Sequence, residues 1–180
     1  MLNKKTYNYH VIGPYNWTLM LNGKNMIEIS KYSDKVYNII GAAMEVHSEL
    51  NWGLLEAVYQ EALHLELLSR GIENEREKEI EVYYKKHLLE KKYKMDIVAD
   101  DIIIELKSVT CLTPIHRAQL CNYLRLTQKP LGLLINFGEE SLIGERWAYD
   151  TETNACYIVD RNMKPISEAD YRYLLDTENY

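Results

Sequence analysis

Three residues that could do chemistry, Asp96, Glu105 and Lys107, lie on the stretch Met95–Asp96–Ile97–Val98–Ala99–Asp100–Asp101–Ile102–Ile103–Ile104–Glu105–Leu106–Lys107. Two runs of β-formers flank an Asp-Asp pair, which is a turn signal, so the stretch predicts a tight hairpin. With Asp100 and Asp101 as a two-residue loop, Ala99 faces Ile102 and Asp96 comes opposite Glu105. Alternation along the strand puts Glu105 and Lys107 on the face of Asp96, and Ile104 and Leu106 on the other. Opposed residues have Cβ atoms about 5 Å apart, where like charges destabilise the pair. Two carboxylates held together in an apolar hairpin need a neutralising partner. A divalent cation with oxygen ligands, beside a lysine, is the simplest. Spacing alone also allows a solvated edge aspartate and an ordinary Glu–Lys surface pair, because short acid/lysine patterns arise by chance.

The chain has 180 residues, enough for one domain with a proper core. At 47% hydrophobic and 27% charged, its composition is that of a soluble globular protein. No run approaches the roughly 18 apolar residues of a membrane span. Lys4 and Lys5 are not followed by the apolar stretch of a signal peptide. These features predict a cytoplasmic protein with no membrane partner. Cys111, Cys121 and Cys156 show no CxxC spacing and read as reduced thiols. A formal net charge of −6 argues against a strongly basic nucleic-acid-binding module. It leaves room for a nuclease, whose cation site needs clustered acids and whose substrate contact can be local.

The elements that must position these residues follow from periodicity. Residues 1–28 read as an N-terminal arm or extension, with turn signals at Gly13–Pro14 and Asn22–Gly23, and carry no assigned chemistry. A helix is expected from Ser33, a candidate cap, to Leu50, with an apolar stripe of Val36, Ile39, Ile40, Ala43, Val46 and Leu50. His47 reads as a helix-end or surface residue. Asn51–Trp52–Gly53 breaks this helix, and a second runs from Leu54 to Ser69 before Arg70–Gly71. Leu55, Val58, Ala62, Leu65 and Leu68 are expected to face the core. Glu56 and Tyr59 share a face, with Gln60 beside them; from the helix alone, Glu56 is a solvated residue.

Glu77–Tyr84 alternates and predicts a strand with Ile80, Val82 and Tyr84 on one side. Lys85, Lys86, Lys91 and Lys92 follow in a polar connection, either a solubilising tip or a contact for phosphates. Thr113–Pro114 starts a helix that ends near Thr127 and carries His116, Gln119 and Tyr123 on one side. The apolar run Leu131–Phe137 is a strand buried on both faces, and the crossover helix before it implies a partly parallel sheet. Two further strands are expected at Glu145–Tyr149 and Ala155–Val159, and a short helix from Ser167, where Ser167 and Asp170 weakly resemble a capping box.

The order helix, three strands, helix, strand, with an Asp and a Glu-x-Lys on the hairpin, resembles the PD-(D/E)XK nuclease superfamily. Gly53–Leu54–Leu55–Glu56–Ala57–Val58–Tyr59 is similar to the signature of the GxxExxY proteins. Further matches are Arg70–Gly71–Ile72, Asp96, Ile104–Glu105–Leu106–Lys107, His116-x-Ala118–Gln119–Leu120-x-Asn122–Tyr123–Leu124 and Gly132–Leu133–Leu134–Ile135–Asn136–Phe137. The resemblance implies an α/β core of αβββαβ order, a mixed central sheet flanked by helices. It divides the chain into an arm (1–28), the nuclease-like core (29–138) and a β-rich C-terminal extension packed on it (139–180).

The resemblance also implies Glu56, Asp96 and Glu105 as ligands of Mg2+ or Mn2+, Lys107 as the group that helps water attack, and Tyr59, Gln119 and Tyr123 as supports. The implied partner is nucleic acid, DNA before RNA, with Lys85, Lys86, Lys91 and Lys92 touching its backbone; a protein partner or homo-oligomer is compatible. Two other readings stay open. One is a non-catalytic nucleic-acid- or protein-binding module. The other is a small-molecule enzyme on the same fold.

Overall fold

The computed structural model describes residues 29–166; the arm at 1–28 and the helix expected from Ser167 lie outside the described residues. A short 3-10 turn at Ile29–Tyr32 leads into α1 (Ser33–Leu50). Ser33 is the first helical residue and not the cap: Tyr32 precedes it, and no side chain caps that end. α1 buries Val36, Ile39, Ala42, Ala43 and Val46, the three- and four-residue stripe of an amphipathic helix. His47 is half-buried near its end, with Nε2 2.9 Å from the carbonyl oxygen of Glu139.

α2 spans Glu56–Ser69, two residues shorter at its start than expected because Leu55 is extended. Its buried stripe is Tyr59, Leu63 and Leu67. Of the face predicted from Leu55, Val58, Ala62, Leu65 and Leu68, Ala62 packs against the core but the others do not: Leu55 is 78% exposed and Leu65 is 59% exposed. Leucines occur on several sides of this helix, so periodicity does not select a face. The choice falls on Tyr59, whose ring stacks on Phe137 with centroids 4.6 Å apart.

The sheet has six strands: β1 (Glu75–Ile80), β4 (Tyr93–Ala99), β5 (Ile102–Lys107), β6 (Leu131–Asn136), β7 (Ile143–Asp150) and β8 (Ala155–Val159), in that spatial order. β5 and β6 are parallel, joined by the crossover helix α3 (Pro114–Thr127); every other neighbouring pair is antiparallel. The strand expected over Glu77–Tyr84 is split. After Ile80 the chain leaves the large sheet, and β2 (Tyr83–Tyr84) pairs with β3 (His87–Leu88) as a separate ribbon. Ile80 is buried but Tyr84 is exposed, since the ribbon has left the sheet.

α1 and α2 cover one face of the sheet, over Ile97, Ile102, Ile104, Leu106, Leu131, Leu133 and Ile135. α3 covers the other, over Met95, Val98, Ile103 and Leu134. β6 is buried throughout, as a strand with helices on both faces must be. β7 and β8 continue the same sheet and contribute to both cores, with Trp147, Tyr149 and Ile158 under α3 and Ala148, Tyr157 and Val159 on the other side. Each fully buried Leu or Ile stabilises by about 1.5–3 kcal/mol, so burial at the centre of the sheet is a main source of stability. Cys121 and Cys156 are buried, Cys111 is exposed, and all three are free thiols. Among the described residues, no helix is long and apolar enough to cross a membrane.

Candidate active site

The hairpin turns at Asp100 and Asp101, with Ala99 facing Ile102, Val98 facing Ile103 and Ile97 facing Ile104. Asp100 sits in the left-handed region at φ 52°, which a short polar side chain tolerates better than most. Three groups hold this turn: the Lys35 ammonium pairs with the Asp100 carboxylate, Tyr32 Oη donates to Asp101 (3.1 Å), and Lys129 Nζ donates to the Asp100 carbonyl (2.6 Å).

The β4–β5 ladder stops before Asp96, which is therefore not a ladder partner of Glu105. Its carboxylate instead accepts a 2.8 Å hydrogen bond from the backbone N–H of Leu106. Its carbonyl accepts one from the Gln60 side-chain amide (3.0 Å). Alternation breaks here: Met95 and Ile97, two apart, pack into opposite cores. On β1, Glu77 takes φ 48° between two residues that pair with Ile97 and Met95. The irregular backbone of β1 thus coincides with the break in β4 at Asp96, whose carboxylate reaches β5.

Ile104 and Leu106 face α1 and α2, so Glu105 and Lys107 face the α3 side. Both are buried, at 0% and 8% exposure. Lys107 Nζ donates to Glu105 Oε1 (2.6 Å) and to the Leu106 carbonyl (2.7 Å), and lies 3.8 Å from Glu56 Oε1. Glu105 Oε2 is buried with no hydrogen-bond partner. Burial, and next the Asp96 charge, pushes the Glu105 carboxyl up to about 8 against the pull of Lys107. Burial also raises Asp96, opposed by the Leu106 N–H and Lys107. For Lys107, burial acts downward, but Glu105, Glu56 and Asp96 outweigh it and hold the ammonium above its ordinary range.

Glu56 is delivered by the first turn of α2, where the helix dipole favours a negative side chain. The preceding loop is tied at both ends. Tyr59 Oη donates to the Asn51 carbonyl (2.6 Å) and accepts from Leu54 N–H (3.1 Å), while Ser108 Oγ donates to the Leu54 carbonyl (2.6 Å). Gly53, at φ 95°, permits the tight path.

On α3, Gln119 Nε2 donates to Tyr123 Oη at 2.9 Å. The Tyr123 hydroxyl is raised chiefly by burial, eased by that hydrogen bond, and raised again by Glu105 and Asp96, so its surroundings include both carboxylates. His116 Nδ1 accepts from Thr113 N–H at 3.1 Å and serves the helix start. Lys85, Lys86, Lys91 and Lys92 lie apart from this cluster, on the β2–β3 ribbon and the loop after it. Lys92 Nζ is bonded to Glu79 (2.7 Å).

Two supports escaped the sequence reading. Gln60 was placed beside Glu56 and Tyr59, yet its bond to the backbone of Asp96 depends on a strand distant in sequence. Asn136, fully buried, closes the apolar run of β6: its Oδ1 accepts from Val109 N–H (3.0 Å) and its Nδ2 donates to the Val109 carbonyl (2.8 Å), which pins the loop after Lys107. A polar residue ending an apolar run was the available signal. A cavity of about 1320 Å3 lies elsewhere, between α1, β7 and β8, and neither the three acids nor Lys107 lines it. The polar cluster, not cavity size, therefore marks the candidate site.

As placed, no three His, Cys, Asp or Glu side chains among the described residues are grouped to hold a metal ion, and Lys107 Nζ stands among the acids. The donor types still fit a hard divalent cation: carboxylates, a carbonyl, and one buried carboxylate oxygen lacking any partner.

Comparison with curated proteins gives no match. A solved structure titled "Crystal structure of SSO0001" is similar in outline, at 16% identity and a TM-score of 0.43 over 88% of this chain and 78% of that one, too low to bear on function. The model of the PD-(D/E)XK nuclease superfamily matches residues 33–146, which hold α1 to the first half of β7 and all four of Glu56, Asp96, Glu105 and Lys107. The chain belongs to the PD-(D/E)XK nuclease superfamily.

Proposed function

We propose that the protein is a divalent-cation-dependent nuclease of the GxxExxY kind that hydrolyses phosphodiester bonds in nucleic acid, DNA before RNA, in the cytoplasm. The observation that carries this reading is the buried Glu105 carboxylate, one oxygen on Lys107 and the other without a partner, with the Asp96 charge beside it. Such an arrangement stores repulsion that a cation relieves.

Glu56, Asp96 and Glu105 would hold Mg2+ or Mn2+, which supplies Lewis acidity at the phosphate. Lys107, kept charged by its neighbours, presents an ammonium to the phosphoryl oxygen where negative charge grows, or to the incoming water. Asp96 is oriented by Leu106 N–H and by Gln60, and Glu56 by the loop that Tyr59 ties down. Gln119 and Tyr123 form a donor pair at the edge of the carboxylates and position substrate or water. A second reading has one observation in its favour. Lys107 already donates to Glu105 and to the Leu106 carbonyl, as it would in a non-catalytic binding module.

Titration calorimetry with Mn2+ separates the two. Binding by the wild type that is lost in both Asp96→Asn and Glu105→Gln supports the nuclease reading. Absence of binding in the wild type favours the module.

A further inference from the structure

We propose that the β2–β3 ribbon, with Tyr93 at its base, is a stacking platform for unpaired bases, so that the substrate class is single-stranded nucleic acid or a strand with an unpaired segment. This deepens the nuclease reading and rests on it.

The ribbon exposes what a sheet normally hides. Tyr83 and Leu88 share one face of the ribbon and Tyr84 lies on the other, so bases can stack on either side; with Tyr93 at the base, these residues are 57%, 50%, 61% and 53% exposed. The ribbon belongs to no larger sheet, and two strands alone gain little stability from such side chains. Its charge is arranged in the same way. Along β1 and β4, and at the residue before β4, the lysines are matched: Lys78 with Glu75, Lys94 with Glu77 and Lys92 with Glu79. At the tip, Lys85, Lys86 and Lys91 make no salt bridge among the described residues, against a single acid, Glu90. Lys85 Nζ lies 5.4 Å from the centre of the Tyr84 ring. Positive charge is thus cancelled at the base of the ribbon, where Tyr83 Oη also donates to Glu81 (2.9 Å), and is in excess at the tip beside Tyr84.

The platform is continuous with the candidate site. Tyr93 is three residues before Asp96 on β4, and its ring meets that of Tyr123 at 5.9 Å and 59°. Exposed rings beside unpaired lysines bind bases by stacking and phosphates by charge, with no need to read sequence. Duplex bases already stack on each other and offer these rings nothing, so the chemistry selects an unpaired strand.

The test is fluorescence anisotropy with a labelled oligothymidylate and a duplex of equal length, in EDTA to prevent cleavage. The wild type should bind the single strand tighter than the duplex. Tyr83→Ala/Tyr84→Ala should weaken single-strand binding at least tenfold, and Tyr83→Phe/Tyr84→Phe should restore most of it. Lys85→Ala/Lys86→Ala should flatten the salt dependence by roughly one to one and a half in log–log slope. Single-strand binding unchanged in the alanine pair, or a wild type that prefers duplex, overturns the platform. Cation-dependent cleavage retained in that case leaves the nuclease reading standing. Tyrosine-dependent binding without any cleavage keeps the platform and removes the nuclease.

Discussion

Lys107 Nζ stands 2.6 Å from Oε1 of Glu105, two residues away on the same face of β5, and both side chains are buried. A buried pair of this kind is a weak source of stability, since desolvation offsets most of the attraction. Here a second acid, Asp96, adds repulsion on top. A fold that keeps such a cluster at the end of its central strand is organised for charge and not for packing.

The first consequence is a dependence of stability on pH. Burial and Asp96 raise the Glu105 carboxyl from 4.5 to about 8 in the folded state. Between those values the folded chain holds a proton that the unfolded chain has released. The stabilisation is therefore fully present below about 4.5 and is lost as pH rises through about 8. Asp96→Asn keeps an acceptor for Leu106 N–H but removes the like charge. In urea unfolding with EDTA, the variant should be more stable than the wild type near pH 8, by about 1 kcal/mol, and should lose less stability on going up from acid. A variant less stable than the wild type near pH 8 would mean that the Asp96 charge holds β4 in place.

Tyr59→Phe keeps the stack on Phe137 and deletes the hydroxyl that joins Asn51 to Leu54. Leaving those backbone groups unmatched should cost about 1–3 kcal/mol in unfolding free energy. Because the same loop delivers Glu56, cleavage should also fall at a temperature where the variant is fully folded. Wild-type activity together with wild-type stability would show that the loop is held by something else.

Gly138→Ala should destabilise by about 2 kcal/mol or more. A Cβ there would lie 2.3 Å from both the backbone N and O of Val109, which have no freedom to withdraw because Asn136 clamps them. Thermal unfolding measures this directly, and a Tm equal to the wild type would show that the loop after β5 is free to shift.

Much of this was legible in the sequence because it depends on near neighbours. A two-residue Asp-Asp turn fixes hairpin register, so Ala99 opposite Ile102 followed at once. The apolar run of β6, and Thr113–Pro114 at the start of α3, are equally local. What was missed is long-range. The buried face of α2 was set by Tyr59 against Phe137, not by the spacing of its leucines. The departure of Asp96 from the ladder is coupled to the unusual backbone of Glu77, and the break after Ile80 separates a ribbon whose alternation looked like one continuous strand.

The most direct test of the central claim is cleavage by the wild type and Lys107→Ala, over single-stranded, duplex and branched substrates with Mg2+ or Mn2+, while Mn2+ binding is followed in parallel. The wild type should cleave, and EDTA should abolish that cleavage. Lys107→Ala should retain Mn2+ binding and cleave more slowly by roughly 10² or more, the scale of losing one preorganised charge-stabilising group. Equal rates in the two proteins, or no cleavage of any substrate by the wild type, would rule out Lys107-assisted nuclease chemistry.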